Sequence, residues 1–378
     1  MLEWVEQQHP RSARWRSESG SAPPRRIQPV DDTLTADAAF RLTSEGAGLL
    51  WRGDFHNARQ LLQALARRVD RKPRKGARSE AVAPAQAFHR HRMAQGQRAR
   101  ILAMVLIEVD GDYAIKLRRA PDLRLACGEA WGPPDGQPCV TSLRELLGLV
   151  GAHEWRKKGV EIAALGPAPD NRIHAHYGVF SPVRGEYIDL VGQAPLPSNE
   201  LAFDIGTGTG VLAAVLARRG VLRVIGTDQD PRALACARDN IARLGLQQRV
   251  EVVEADLFPP GRAPLVVCNP PWVPGRPSSP IERAVYDEGS RMLRGFLSGL
   301  PAHLAPGGQG WLILSDLAEH LALRSREELL AWIEAAGLTV LARSEARPRH
   351  PKATDPDDPL HAARSQEVTA LWRLALRA

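Results

Sequence analysis

The chain has 378 residues and a mass of 41.4 kDa, with 44% hydrophobic and 25% charged residues, a balance that excludes global disorder and a length that suggests more than one domain. No run of about 18 apolar residues occurs, and the Arg-rich start lacks the apolar stretch of a signal peptide, so a cytoplasmic protein without a membrane partner is expected. The net charge of +7 belongs to the front: residues 1–165 carry 27 Lys and Arg against 19 Asp and Glu, residues 166–378 carry 23 against 24, and residues 51–100 alone hold 13 against 3.

In chain order, residues 1–30, rich in Ser, Pro and Arg, read as a disordered tail. Across 35–68, Leu49, Leu50, Leu61, Leu62 and Leu65 recur near helical spacing, which predicts two short helices. Residues 72–100 are basic and poor in apolar side chains, as in a loop or an exposed helix. A β-branched run at 101–109, the turn Asp110-Gly111 and a return at 113–117 read as a hairpin. Residues 141–149 read as a helix capped by Thr141 or Ser142. Residues 31–170 therefore form a smaller basic α+β module, assigned to substrate recognition; its charge suits phosphates and describes a solvated surface equally well. Residues 171–198, punctuated by Ser181-Pro182 and Arg184-Gly185, predict a second hairpin linking the two halves.

Between 199 and 378, strands are expected at 201–205, 224–227, 250–253, 265–268 and 310–314, and helices at 211–219, 232–244, 282–304 and 327–336. This alternation demands a mostly parallel sheet covered on both faces. The strand-like runs 338–342 and 368–374 are joined by a polar loop, 347–364, instead of a helix, and should pair antiparallel. That loop and residues 273–280 then emerge at the carboxyl ends of the strands as candidate walls or lids.

The chemistry is concentrated in four places. Asp204-Ile-Gly206-Thr207-Gly208-Thr-Gly210 lies between a strand and a helix, where glycines allow a tight turn and close approach of a ligand to main-chain N–H groups. It is not the dinucleotide fingerprint, because Val211 stands where Gly or Ala is needed. Asp228 ends the second strand, placed to accept from both hydroxyls of a ribose. Asp256 follows the third strand, beside Leu257, placed to accept from an adenine amine. Asn269-Pro270-Pro271-Trp272 ends the fourth. Ligands of such sheets bind outside the carboxyl ends of the strands, so all four should face one crevice.

Residues 200–376 with these motifs resemble a class I S-adenosylmethionine-dependent methyltransferase. The Asn-Pro-Pro-aromatic tetrapeptide resembles the subgroup that methylates planar nitrogens: release-factor glutamine methyltransferases, and adenine or guanine N-methyltransferases of DNA and ribosomal RNA. With Val273 and Pro274 it is most similar to the release-factor enzymes, which commonly have Tyr at the position of Trp272. The resemblance implies an α/β, Rossmann-like seven-stranded sheet with an antiparallel last strand. It implies S-adenosyl-L-methionine as cofactor, held by Asp204, Gly206, Thr207, Gly208, Gly210, Asp228, Asp256, Leu257 and Asn269, and catalysis by Asn269, Pro270, Pro271 and Trp272. Phe180 and Arg184 fall where related enzymes place a crevice-lining segment.

The tetrapeptide has its own physical logic. An amide or aniline-like nitrogen is a poor nucleophile because its lone pair is delocalised. Acceptance of both N–H hydrogens by Asn269 Oδ1 and the Pro270 carbonyl draws the nitrogen toward tetrahedral geometry, an interaction that strengthens in the transition state. The prolines stiffen the backbone and Trp272 offers a face for stacking. The expected acceptor is foremost a protein glutamine, with an RNA or DNA base, which would make the chain a nucleic-acid binder, and a small molecule as alternatives; a non-catalytic binding module retaining the fold is the alternative from another class. The pairs His89/His91 and His174/His176 lack a third ligand, so no metal is expected. Cys127, Cys139, Cys236 and Cys268 form no CxxC pair, which suits a reducing compartment.

Overall fold

The computed structural model describes residues 1–71, 82–279, 281–349 and 355–377; residues 72–81 of the basic stretch lie outside the described residues. Two compact units result, Met1–Val82 with His89–Glu154, and Ala83–Phe88 with Trp155–Ala378. The division falls at residue 154, ahead of the position 170 expected from sequence.

The elements up to the division are β1 (Leu2–Glu6), β2 (His9–Trp15), β3 (Arg26–Val30), α1 (Ala36–Ser44), β4 (Ala47–Trp51), α2 (Phe55–Val69), α3 (Pro84–Leu102), β5 (Val105–Val109), α4 (Arg124–Trp131), β6 (Cys139–Ser142) and α5 (Leu143–Lys158). The six strands form one mixed sheet in the order β1-β2-β6-β5-β4-β3. Residues 1–30 are thus no disordered tail. Leu2 and Trp4 alternate onto one face and, with Ala13, pack on Leu50, Leu106 and Val140, a period-two pattern that the Arg and Ser content hides. Leu49 and Leu50 lie in β4, whose five residues are all buried, as befits an interior strand covered on both faces. Nor is there a hairpin at 101–117. β5 pairs with β4 and β6, while Asp110 N bonds Ala114 O at 2.9 Å and closes a tight turn. With β4 on one edge of β5 and β6 on the other, no edge is left for the return at 113–117.

The second unit opens with a short pair, β7 (Val160–Glu161) and β8 (Arg172–Ile173), and then α6 (Glu186–Gln193). The linking hairpin expected at 171–198 is replaced by this helix. Tyr187, Ile188 and Val191 follow helical spacing and are buried against the apolar residues of the next helix; the Pro and Gly signals mark the turn before it. The α/β body follows: β9 (Leu201–Ile205), α7 (Val211–Arg218), β10 (Arg223–Asp228), α8 (Pro231–Arg243), β11 (Val250–Glu254), β12 (Ala263–Cys268), α9 (Arg291–His303), β13 (Leu304–Ser315), α10 (Leu317–His320), α11 (Arg326–Ala335), β14 (Leu338–Ala346), α12 (His361–Arg364) and β15 (Thr369–Leu376). The predicted helix 282–304 begins only at Arg291, because Gly289 and Ser290 adopt positive φ (66° and 53°) and break the 3₁₀ turns before it.

The strand order is β11-β10-β9-β12-β13-β15-β14. The first five strands are parallel and β15 runs antiparallel to both of its neighbours, as expected. Consecutive strands β9, β10 and β11 extend to one side while β12 lies on the other, so the order reverses at β9. That reversal opens a crevice at the carboxyl ends of β9, β10 and β12. Among the described residues no helix is long and apolar enough to cross a membrane.

Candidate active site

After β9 the chain turns through Gly206, Gly208 and Gly210, at φ of 71°, 55° and 79°, a region costly for side chains. A Cβ on Gly208 would meet nothing nearer than Gly206 O at 4.0 Å, so the turn is open to a ligand there. From beneath it is tied by Asp204, only 1% exposed, whose Oδ2 accepts from Thr207 Oγ1 at 2.6 Å and from Ala213 N at 3.0 Å. Burial, helped by the nearby charge of Asp228 and opposed by those two hydrogen bonds, pushes the Asp204 carboxyl up to about 6.

This shift has a testable sign. A folded-state pKa above the ordinary 3.8 means that the fold binds the proton more tightly than the unfolded chain does. The contribution of Asp204 to stability therefore declines as pH rises from about 4 to about 6, by roughly 3 kcal/mol in all. Asp204→Asn has no such titration, so its unfolding free energy measured in urea is expected to gain on the wild type by up to that amount between pH 4 and pH 7. A difference that stays flat across this range contradicts the assignment.

Asp228 faces the same turn. Its Oδ2 accepts from Gly208 N and its Oδ1 from Asp230 N, both at 3.0 Å, and burial raises its pKa. Each oxygen retains a lone pair for a ligand. Asp256 is more open, its side chain 66% exposed with Arg291 at 3.7 Å, and its Oδ1 accepts from Gln229 Nε2. Leu257 holds φ of 71°, a strained conformation for a leucine, while its carbonyl accepts from Thr227 Oγ1.

At the end of β12 the indole Nε1 of Trp272 donates to Asn269 Oδ1 at 2.8 Å. The Trp272 carbonyl accepts from Arg324 at 3.5 Å, a buried guanidinium whose pKa burial lowers. Asp287 N donates to Val273 O at 3.0 Å, and the Asp287 carboxylate accepts from Met292 N at 3.1 Å and Leu293 N at 3.2 Å. The Asn-Pro-Pro-Trp loop is thereby fastened to the start of α9. The Arg184 guanidinium lies 5.9 Å from the Trp272 ring centre and donates to Glu367 Oε1 at 3.2 Å, which also accepts from Ser315 Oγ at 2.7 Å.

These groups line one crevice of about 1050 Å³. It brings together Asp204, Gly206, Thr207, Gly208, Asp228, Asp256, Leu257, Asn269, Pro270, Pro271, Trp272, Phe180 and Arg184. Gly210 is absent from its lining: a Cβ there would stand 3.3 Å from Ala237 Cα, so it serves the close approach of α7 to α8. Tyr187, Phe88, Tyr286 and Glu367 also line the crevice and were not foreseen. Glu367 was within reach, because a last strand running backwards must begin at this rim. Of the candidate walls, 280 and 350–354 lie outside the described residues, while Val273, Leu360 and Arg364 line the crevice. His174 Nδ1 lies 2.6 Å from Arg156 O, and His176 Nε2 lies 2.9 Å from Asp239 Oδ2.

Residues 170–323 match one protein family over their whole span. The family is the methyltransferase small domain. This small domain takes in α6, the glycine turn, Asp228 and the Asn-Pro-Pro-Trp loop, and bears out the resemblance to S-adenosylmethionine-dependent methyltransferases read from the sequence; Glu367 falls beyond the matched stretch. The release factor glutamine methyltransferase of Cereibacter sphaeroides is 33% identical over 149 residues, covering 36% of this chain and 51% of that protein. The ribosomal protein L11 methyltransferase of Pelotomaculum thermopropionicum is 36% identical over 145 residues, covering 38% and 39%. The ribosomal RNA small subunit methyltransferase C of Alcanivorax borkumensis is 35% identical over 112 residues, covering 29% and 30%. The chain thus spans about half, or less, of the length of these curated relatives.

The residues fit the family's cofactor. An open glycine turn beside a strand-end carboxylate with lone pairs to spare suits a ribose diol, and the exposed Asp256 suits an amine.

Proposed function

We propose that the methyltransferase small domain, completed by β14 and β15, transfers a methyl group from S-adenosylmethionine to a planar nitrogen, foremost the carboxamide of a protein glutamine. The single observation carrying this is Asn269, held by Trp272 at the rim of the crevice that also presents Asp228 and the glycine turn. When bound, S-adenosylmethionine supplies an electrophilic methyl on a cationic sulfur. The chain's own residues do the rest. Asp228 accepts from ribose hydroxyls, the open turn at Gly206–Gly208 lets the ligand lie against the main chain, and Asn269 Oδ1 with the Pro270 carbonyl accepts the two N–H hydrogens of the acceptor. Since the proton can leave after transfer, no strong base is required.

A protein substrate is supported by the release-factor and L11 methyltransferases among the relatives. The second reading, an RNA or DNA base, is favoured by the basic excess of residues 51–100; affinity for a nucleic acid would then fall steeply with salt. Retention of Asp204, Asp228 and Asn269 together counts against a module that only binds. A cytoplasmic setting accords with either substrate, and the four cysteines are free and buried. The test is transfer of labelled methyl from S-adenosylmethionine into protein, RNA and DNA fractions, with Asn269→Ala as control. Label in protein that vanishes with the variant is expected; label in RNA or DNA alone selects the second reading, and label in none overturns both.

A further inference from the structure

Trp272 is more than a stacking surface. Its indole N–H, which can only donate, meets Asn269 Oδ1 at 2.8 Å. A carboxamide side chain occupies nearly the same volume when turned end for end, so shape alone does not decide whether oxygen or NH2 faces a neighbour. For an acceptor nitrogen bearing two hydrogens the difference is decisive, because oxygen attracts those hydrogens and NH2 repels them. An amide oxygen has two lone pairs, so one can take the indole N–H while the other remains for the substrate.

We propose that the Trp272 indole N–H sets the orientation of the Asn269 side chain, presenting its oxygen to the nitrogen that is methylated, and that Trp272 is in this sense a positioning residue. The proposal rests on the planar-nitrogen reading of the site. The surroundings hold the donor in place from three sides. Two prolines precede it, Arg324 binds its carbonyl, and the Arg184 guanidinium stands 5.9 Å from its ring centre. A cation over the ring also draws electron density from the indole and strengthens its N–H as a donor. Arg184 is itself held by Glu367, whose side chain is 1% exposed and which is anchored by Ser315. Glu367 Oε2 has no partner among the described residues. A buried carboxylate with an unsatisfied oxygen, paired to an arginine that stays partly exposed, is a poor stabiliser, which fits a role in positioning.

Two measurements test this. In the first, the indole ¹⁵N–H resonance of Trp272, assigned by its loss in Trp272→Phe, is followed in the free protein. Its N–H should exchange slowly with solvent, and should shift and exchange faster in Asn269→Ala; an unaltered resonance overturns the proposal whatever the protein's activity. In the second, Trp272 is replaced by 3-benzothienylalanine, which keeps the bicyclic shape and lacks the donor. With the substrate fraction labelled by the wild type, kcat is expected to fall about tenfold with KM and S-adenosylhomocysteine affinity little changed. The same replacement beside Asn269→Asp should have almost no further effect, since a carboxylate presents oxygen either way round. A kcat equal to that of the wild type sinks the positioning role while leaving the methyltransferase reading intact. Absence of transfer by the wild type to any fraction removes that reading and the catalytic part of this proposal with it.

Discussion

Asn269→Ala is expected to lower kcat for methyl transfer by about 10²- to 10³-fold, while the affinity for S-adenosylhomocysteine stays within about threefold of the wild type. The rate figure is the usual cost of removing one preorganised hydrogen-bonding group aimed at charge that develops in the transition state. Asn269 is such a group because its oxygen already accepts from the Trp272 indole before substrate arrives, and the residue leads straight into the stiff Pro270-Pro271 backbone. The remaining acceptor, the Pro270 carbonyl, is left to hold both hydrogens of the nitrogen alone. Affinity for the thioether should survive because the glycine turn is built by Asp204, Thr207 and Thr227 without help from Asn269. Single-turnover kinetics with labelled cofactor and calorimetry with the thioether separate the two quantities. Equal losses in both would move Asn269 from the acceptor side of the crevice to the cofactor side.

Asp228→Ala is expected to behave in the opposite way, weakening S-adenosylhomocysteine binding about 100-fold by calorimetry. Hydrogen bonds to a charged group contribute about 1.5–3 kcal/mol each, and a ribose diol offers two. The substitution also releases Gly208 N from its bond to Asp228 Oδ2, so the turn loses one of its fixed points. Burial already raises the Asp228 carboxyl, so protonation on acidification should weaken binding in the same direction as the substitution. Affinity that is unchanged in the alanine variant would remove Asp228 from the cofactor site.

Much of the second unit could be read from the sequence because each strand there is a short apolar run ended by a chemically distinctive residue. Asp204, Asp228 and Asn269 mark the strand ends as well as the site, so fold and crevice emerged from the same residues. The reading failed where competing signals overlapped. Just before α6, Ser181-Pro182 and Arg184-Gly185 suggested turns and masked the helical spacing of Tyr187, Ile188 and Val191. In the first unit, β1 alternates cleanly, yet its Arg- and Ser-rich neighbours gave the segment a disordered composition. β4 is an apolar run too short for its period to tell strand from helix. Two kinds of information were missing for the site. Gly210 answers to helix packing against Ala237 and not to a ligand, which a motif cannot distinguish. The bond between Trp272 and Asn269 depends on a side-chain direction that spacing does not encode.

The reversed course of β15 has a consequence for how such a protein can diversify. The segment between β14 and β15 leaves and rejoins the sheet at the cofactor rim, its ends clamped by the pairing of Ala346 with Thr369 and by the mutual bonds of Asp316 and Val368. Lengthening a loop between fixed ends costs little, about 0.6 kcal/mol for each doubling. Inserts of quite different size and chemistry can therefore be grafted at this position without rebuilding the machinery beneath, so new specificities are open to the scaffold through cassette exchange while Asp204, Asp228 and Asn269 stay where they are.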